Sequence, residues 1–111
     1  MKYIKTYETL NEGTPEIGDY VIIRMWTHLN GELMNFINNN IGQIAYKSSL
    51  GNELTIKYDN VPGKLQTHFV FPGSLSKDKR LSRTFHKNEI LYFSKDKTEL
   101  EFELKVSKYN L

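Results

Sequence analysis

Three strand-like runs decide the fold of this chain: GDYVII at residues 18–23, IGQIAYK at residues 41–47 and LTIKYD at residues 54–59. In the first run Val21 and Ile23, continued by Met25, fall on one face, because successive side chains of a strand point to opposite faces. This purely aliphatic face is predicted to be core. The third run alternates apolar and polar residues in the same way, which predicts a strand with one buried and one wet face.

A turn separates the second run from the third. Residues 48–52 read SSLGN, and Gly51 and Asn52 are residue types that tolerate positive φ in hairpin loops. The two runs are therefore predicted to form an antiparallel pair. Together with the later run ILYF, these patterns predict six nearly inaccessible residues: Val21, Ile23, Ile44, Leu54, Ile56 and Ile90.

Two helices are predicted outside these strands. Apolar residues recur at helical spacing over residues 31–38, and three asparagines that favour a turn follow them. The tail is ambiguous, because residues 100–106 alternate as a strand would, whereas Leu, Glu and Lys are strong helix formers and Ser94 is a good N-cap. The interpretation adopted is a helix from about Ser94 or Lys95 onward, with a strand as the alternative.

Shorter elements are predicted between the third run and the tail. They are one helical turn at residues 64–68, an edge strand at Phe69–Phe71, a basic loop from Ser74 to Arg83 and a strand from Phe85 to Phe93. Proline and glycine bound the edge strand, since Pro72 cannot donate to a sheet ladder. The pattern as a whole favours a mainly β chain with few helices.

Length and composition restrict the function classes. A chain of 111 residues has the size of one domain, and its lack of cysteine excludes disulfides and thiolate sites. The net charge is +2, but residues 61–111 hold ten Lys or Arg against six Asp or Glu. No signal-peptide-like start and no window of membrane-spanning length is visible, which predicts a cytoplasmic protein.

The GDYVII entry, the IGQIAY return and the LTIKYD third strand together resemble the opening of a small SH3-like barrel of the KOW or Tudor kind. The resemblance implies a mainly β (α+β) fold, a barrel of about five antiparallel strands with a short inserted helix and a C-terminal helix. It implies one domain with a lead-in arm at 1–17, the barrel at 18–93 and the helix at 94–111. Barrels of this kind bind other molecules and rarely catalyse reactions.

The stretches MKYIKTYE, PEIGDYVII, FINNNIGQI and SKDKTELE resemble small open reading frames of bacteriophages, especially those of marine and flavobacterial hosts. The likeness is one of sequence style and spans most of the chain. It implies a phage accessory protein that acts in the cytoplasm of an infected bacterium, and action against a host system is one form that such a role takes.

Signals for catalysis or metal binding are weak. The three histidines, His28, His68 and His86, are 40 and 18 residues apart and lack ligand spacing. The serines of Gly73-Ser74-Leu75-Ser76 lack the second glycine of a nucleophile elbow. A carboxylate pair, Asp19 with Glu89, follows only from an assumed fold. We expect no enzyme activity, no metal and no cofactor.

Two groups of residues are predicted to bind a partner. The first is the basic loop with its continuation: Lys77, Lys79, Arg80, Arg83 and Lys87. The second is the outward face of the first strand with two lysines expected beside it: Tyr20, Arg24, Trp26, Lys47 and Lys57. Cations could neutralise phosphates, and aromatic rings among cations suit both nucleic-acid stacking and protein hot spots. The alternatives are a solvated loop, and a Trp26 that closes the core from inside.

These residues support two partner hypotheses. The first is a non-enzymatic module that binds and inhibits a host protein, such as a nuclease-type defence complex. The second is direct binding of DNA or RNA by the same residues. A remote third possibility is sequestration of a small nucleotide at an oligomer interface. The sequence does not fix the oligomeric state.

Overall fold

The computed structural model of the protein describes residues 13–25 and 30–109, with side chains described as far as Val106. This part of the chain forms a small α+β structure. Its elements in chain order are β1 (Tyr20–Ile23), α1 (Gly31–Asn38), β2 (Ile41–Lys47), β3 (Glu53–Tyr58), a 3-10 helix (Gly63–His68), β4 (Leu81–His86), a short 3-10 helix (Lys87–Glu89), β5 (Ile90–Ser94) and α2 (Lys97–Tyr109).

The five strands form one antiparallel sheet in the order β4-β3-β2-β1-β5. The strands β1 to β4 follow one another as a meander, and β5 returns to pair with β1. The β2–β3 hairpin is confirmed: Gly51 has a φ of 74° and donates its N–H to the Ser48 carbonyl at 2.8 Å. No closure between β4 and β5 is seen within the described residues, so the barrel stays a prediction.

The strand predicted from Phe85 to Phe93 is wrong, because the chain leaves the sheet in the middle of it. His86 ends β4, and a capping box forms there: the His86 side chain accepts from Asn88 N–H, and Glu89 accepts from His86 N–H. This tight turn satisfies backbone groups that would otherwise lie unpaired. It lets β5 start afresh at the opposite edge of the sheet, beside β1.

One face of the sheet carries the main core. Five of the six residues predicted to be inaccessible are at most 1% exposed, whereas Ile90 is only partly buried at the sheet edge. Helix α1 contributes Leu33 and Ile37 to this core, and the first 3-10 helix contributes Leu65. The predicted span of α1 is confirmed, and the Asn30 side chain caps it by accepting from two backbone N–H groups.

Helix α2 covers the other face of the sheet. The helix predicted for the tail is confirmed, but it lies against β1, β2 and β5 and packs Leu100 on Ile22. It begins later than predicted, because Asp96 accepts from Thr98 N–H in the manner of an N-cap, while the Ser94 hydroxyl accepts from Asp96 N–H. Both faces of β1 are therefore buried.

A buried acid interrupts the apolar side of α2. Glu103 is 4% exposed, and within the described part of the chain its Oε1 has no hydrogen-bond partner. Burial raises the pKa of this carboxyl. The charged form is therefore disfavoured in the folded protein, and the site costs stability at neutral pH.

We expect Glu103→Leu to raise the free energy of unfolding by about 1–2 kcal/mol, since it removes a buried unpaired carboxylate. Glu101→Leu, at an exposed position two residues earlier in the helix, is the control and should change stability little. The gain should shrink as the pH falls and Glu103 protonates, because a raised pKa makes the folded state bind a proton first. Urea denaturation at neutral and acidic pH measures both effects, and a destabilised Glu103→Leu protein would contradict the prediction.

Candidate binding surface

The predicted basic loop is shorter than expected, because β4 begins at Leu81. Arg83 therefore lies inside a strand, opposite Ile56 and on the core face of the sheet. Its Nη1 donates to the His68 carbonyl at 2.8 Å, and its guanidinium lies 5.8 Å from the Phe85 ring centre. Arg83 contacts the end of the first 3-10 helix from β4, so the prediction that it lies in the basic loop is wrong.

Two further predicted cations are held by Asp78. Arg80 donates to its carboxylate from Nε and Nη2, at 3.1 and 2.9 Å, and Lys57 donates from Nζ at 3.1 Å. The Arg80 side chain is the main reason that the pKa of Asp78 lies far below its ordinary value. A forked, charge-assisted contact of this kind fixes side chains in place. Lys57 and Arg80 are therefore partly neutralised by the protein itself.

The remaining predicted cations of this region are exposed. Lys77 and Lys79 form no ion pair with any residue that the structure describes, and both belong to the loop before β4. Lys87 is exposed too, but it lies beyond the far end of β4, where its N–H donates to the Asn52 carbonyl. The cationic loop thus consists of residues 74–80, with Lys77 and Lys79 as its available charges.

The aromatic face predicted on β1 is only partly assembled. Tyr20 and Lys57 do lie on one face of the sheet, the face opposite the main core, which we call the outer face. Gln43 of β2 lies between them, paired with Tyr20 on one side and with Lys57 on the other. Tyr20, however, is half-buried against the cluster under α2. Arg24 follows β1 and is half-buried, with its N–H donating to the Glu89 carbonyl. Trp26 lies outside the described residues.

A β-bulge in β2 moves the predicted residue Lys47 off the outer face and places Tyr46 on it. The register of β2 against β3 shifts between Ile44 and Tyr46, so that Tyr46 faces Thr55 and Lys47 faces Leu54. Lys47 therefore lies on the opposite face from Tyr20 and donates to the Pro15 carbonyl at 2.9 Å. Tyr46, which the sequence did not single out, is 61% exposed on the outer face.

The loop before β4 also exposes large apolar side chains. Val70, Phe71 and Leu75 are 66%, 61% and 97% exposed. The edge strand predicted at Phe69–Phe71 is reduced to a single bridge, Val70 with Ser82. Leu75 stands among serines and lysines, and an apolar residue in such a polar loop is the sequence signal that could have identified this surface. We call residues 70–79 the display loop.

Hydrogen bonds hold the display loop at its base and in its middle. Val70 and Ser82 exchange two backbone hydrogen bonds, of 2.7 and 3.0 Å. Ser76 N–H donates to the Gly73 carbonyl at 3.0 Å, and the Ser76 hydroxyl donates to the Asp78 carbonyl at 2.9 Å. With the Asp78 contacts, these bonds give the loop a defined shape despite its lack of regular structure.

A cleft of about 700 Å³ runs beside the display loop. Its lining comprises the apolar residues Tyr58, Val61, Phe71, Pro72 and Leu81 and the polar residues Asp59, Asn60, Gln66, Ser74, Lys79 and Arg80. This size lies in the range of sites that take a small ligand or a few side chains. The predicted Tyr20 and Arg24 are not among its lining residues.

The described residues include most of the metal-ligand and acid–base candidates of the sequence. They contain no group of three His, Asp or Glu side chains that could hold a metal ion. The two carboxylates considered as an acid–base pair have local partners: Asp19 accepts from Glu16 N–H and Lys95, and Glu89 accepts from His86 N–H. Among the same residues, no helix has the length and hydrophobicity needed to cross a bilayer.

Comparisons with protein-family models, with curated proteins and with solved structures found no match. Function is therefore inferred from the surface of the protein itself. What the geometry brings together is an ordered loop that combines three exposed apolar side chains with two exposed lysines, beside an open cleft.

Proposed function

We propose that this protein is a non-enzymatic binding module and that it binds a protein partner through the display loop and the cleft beside it. The observation that carries the proposal is the exposure of Val70, Phe71 and Leu75 in a loop held by hydrogen bonds. Large exposed apolar side chains gathered in one short segment are typical of interaction sites, and aromatic residues are enriched among binding hot spots. An ordered loop also loses less entropy on binding than a flexible one.

The proposal includes two statements that rest on the sequence. The strand order, a four-strand meander with β5 added beside β1, supports an SH3-like barrel as the architecture. The resemblance to phage reading frames supports a host protein as the partner, with inhibition of that protein in the bacterial cytoplasm as the consequence.

Direct binding of nucleic acid has less support from the side chains. Two of the five cations predicted in and after the basic loop have partners within the protein. Arg83 donates to the His68 carbonyl, and Arg80 donates to the Asp78 carboxylate. A phosphate-binding loop depends on cations that are free to displace counterions. The exposed Tyr46 could stack on a base. Lys57, which lies on the same face of the sheet in the neighbouring strand β3, is however held by Asp78.

Affinity capture from a bacterial host lysate tests the proposal, using tagged wild type and a Phe71→Ser/Leu75→Ser variant. We expect partner proteins to be retained by the wild type after nuclease treatment and lost by the variant. Leu50→Ser is the matched control, because Leu50 is 84% exposed in the β2–β3 turn, and it should capture the same partners as the wild type. Equal thermal midpoints would show that the variants fold.

Two results would contradict the proposal. If nuclease treatment abolishes capture, the module binds nucleic acid, and the proposal that it binds a protein partner is wrong. If the Phe71→Ser/Leu75→Ser variant captures the same proteins as the wild type and the control, the display loop is not the binding surface.

A further inference from the structure

The cleft beside the display loop has a composition that selects among protein partners. Its apolar lining includes Val61 and Leu81, each 8% exposed, and Phe71, whose side chain is largely exposed. Phe71 is therefore the apolar residue of the lining that water reaches most. An apolar group that fills the cleft would cover its ring, and removing apolar area from water favours binding.

The charges around the cleft have one sign once internal pairs are set aside. Arg80 is matched by Asp78 at 2.9 Å and by Asp59 at 4.0 Å, and Lys57 is matched by Asp78. Lys79 of the cleft lining and Lys77, two residues earlier in the loop, have no counter-charge among the described residues. The surface is therefore complementary to an anionic partner, and complementary charges steer association and disfavour wrong partners.

We infer that the partner presents an acidic peptide segment that carries a large apolar side chain. The apolar side chain enters the cleft and packs on Phe71, Val61 and Leu81. Carboxylates on either side of it pair with Lys77 and Lys79. Ser74 of the cleft lining supplies a hydroxyl group for the backbone of the segment, and Gln66, whose Nε2 donates to the Val61 carbonyl, supplies its amide oxygen. This inference rests on the proposed function and specifies the chemistry of its partner.

Three labelled peptides test the inference by fluorescence anisotropy. One is acidic and apolar, with Leu-Phe flanked on each side by Asp and Glu. In the second, Asn and Gln replace the acids, and in the third, Ser-Ser replaces Leu-Phe. We expect the first peptide to bind at least about tenfold more tightly than either of the others, a difference of about 1.4 kcal/mol. Its affinity should fall as salt is added, because exposed charges are screened.

Variants of the full chain assign the two contributions. Phe71→Ser should weaken the acidic apolar peptide by about tenfold or more, as expected for an aromatic hot spot. Lys77→Gln/Lys79→Gln should weaken it and flatten its salt dependence, whereas Lys87→Gln, at an exposed lysine beyond the far end of β4, should change neither. Amide chemical shifts of Val61, Ser74 and Leu81 should move on titration and report where the peptide lies.

Failure of the inference can be told apart from failure of the proposed function. If the acidic apolar peptide does not bind, or if all three peptides bind equally, the partner chemistry stated here is wrong. Loss of captured lysate proteins in the Phe71→Ser/Leu75→Ser variant would still support a protein partner at this loop. A single-stranded oligonucleotide that displaces the acidic peptide and binds more tightly would overturn both.

Discussion

Replacement of Ile56 by Ala is expected to lower the free energy of unfolding by about 2–5 kcal/mol, through lost transfer energy and the cavity that the smaller side chain leaves. Ile56 is fully buried in the middle of β3, the strand between β2 and β4, with Ile44 opposite it on one side and Arg83 on the other. Its side chain is part of the core that joins the sheet to α1 and the first 3-10 helix.

Ile17→Ala is the matched control for this change, because Ile17 is 61% exposed just before β1 and loses the same atoms. It should shift the urea midpoint by less than about 0.5 kcal/mol in free energy, as surface substitutions usually do. Equal losses at Ile17 and Ile56 would mean that β3 is not the centre of the core.

The sequence predicted the elements that depend on local patterns. Helix α1 has an apolar stripe, an asparagine cap and asparagines after it. These signals lie within or next to its eight residues, so the local sequence predicts where the helix begins and ends. The β2–β3 hairpin follows from Gly51, whose positive φ few other residues adopt. In the tail, helix propensity outweighs the strict alternation of apolar and polar residues. A helix is sufficient there because α2 packs on the sheet with one side only, the side that carries Leu100.

The errors come from features that have no local pattern. Alternation along β2 puts Lys47 on the same face as Gln43, but the bulge between Ile44 and Tyr46 reverses the faces beyond it. A one-residue shift exchanges every later side chain between core and solvent. The same bulge exposes Tyr46. Sequence alternation therefore placed Lys47 on the wrong face of the sheet and missed Tyr46, the aromatic residue that lies on the outer face.

The basic loop shows a second limit of sequence reasoning. A count of charges treats each lysine and arginine alike, whereas the fold separates them by what they touch. Asp78 holds Lys57 and Arg80 from two different segments, and Arg83 turns to the core face because it lies opposite Ile56. Long-range partners such as these are set by strand register, which the order of residues does not reveal.

Gly42 is required in β2 for reasons of space, and its replacement is the second large effect that we expect. It lies on the core side of β2, opposite Val21 of β1. A Cβ added there would overlap Ile56 Cγ2 and come within 3.0 Å of the Tyr58 ring. The neighbouring strand has thus filled the place that a side chain of β2 would occupy. Gly42→Ala should destabilise the protein by about 1–3 kcal/mol, the usual cost of overpacking a core.

A double-mutant cycle tests that mechanism, since Gly42→Ala and Ile56→Ala act on the same space. Removing Ile56 Cγ2 makes room for the new methyl group, so the double variant should lose less stability than the sum of the two single losses. Gly31→Ala is the control, because a Cβ at Gly31 meets nothing within 4 Å, and alanine favours the first turn of α1. Additive losses in the cycle would show that the two side chains do not compete, and that Gly42 is kept for another reason.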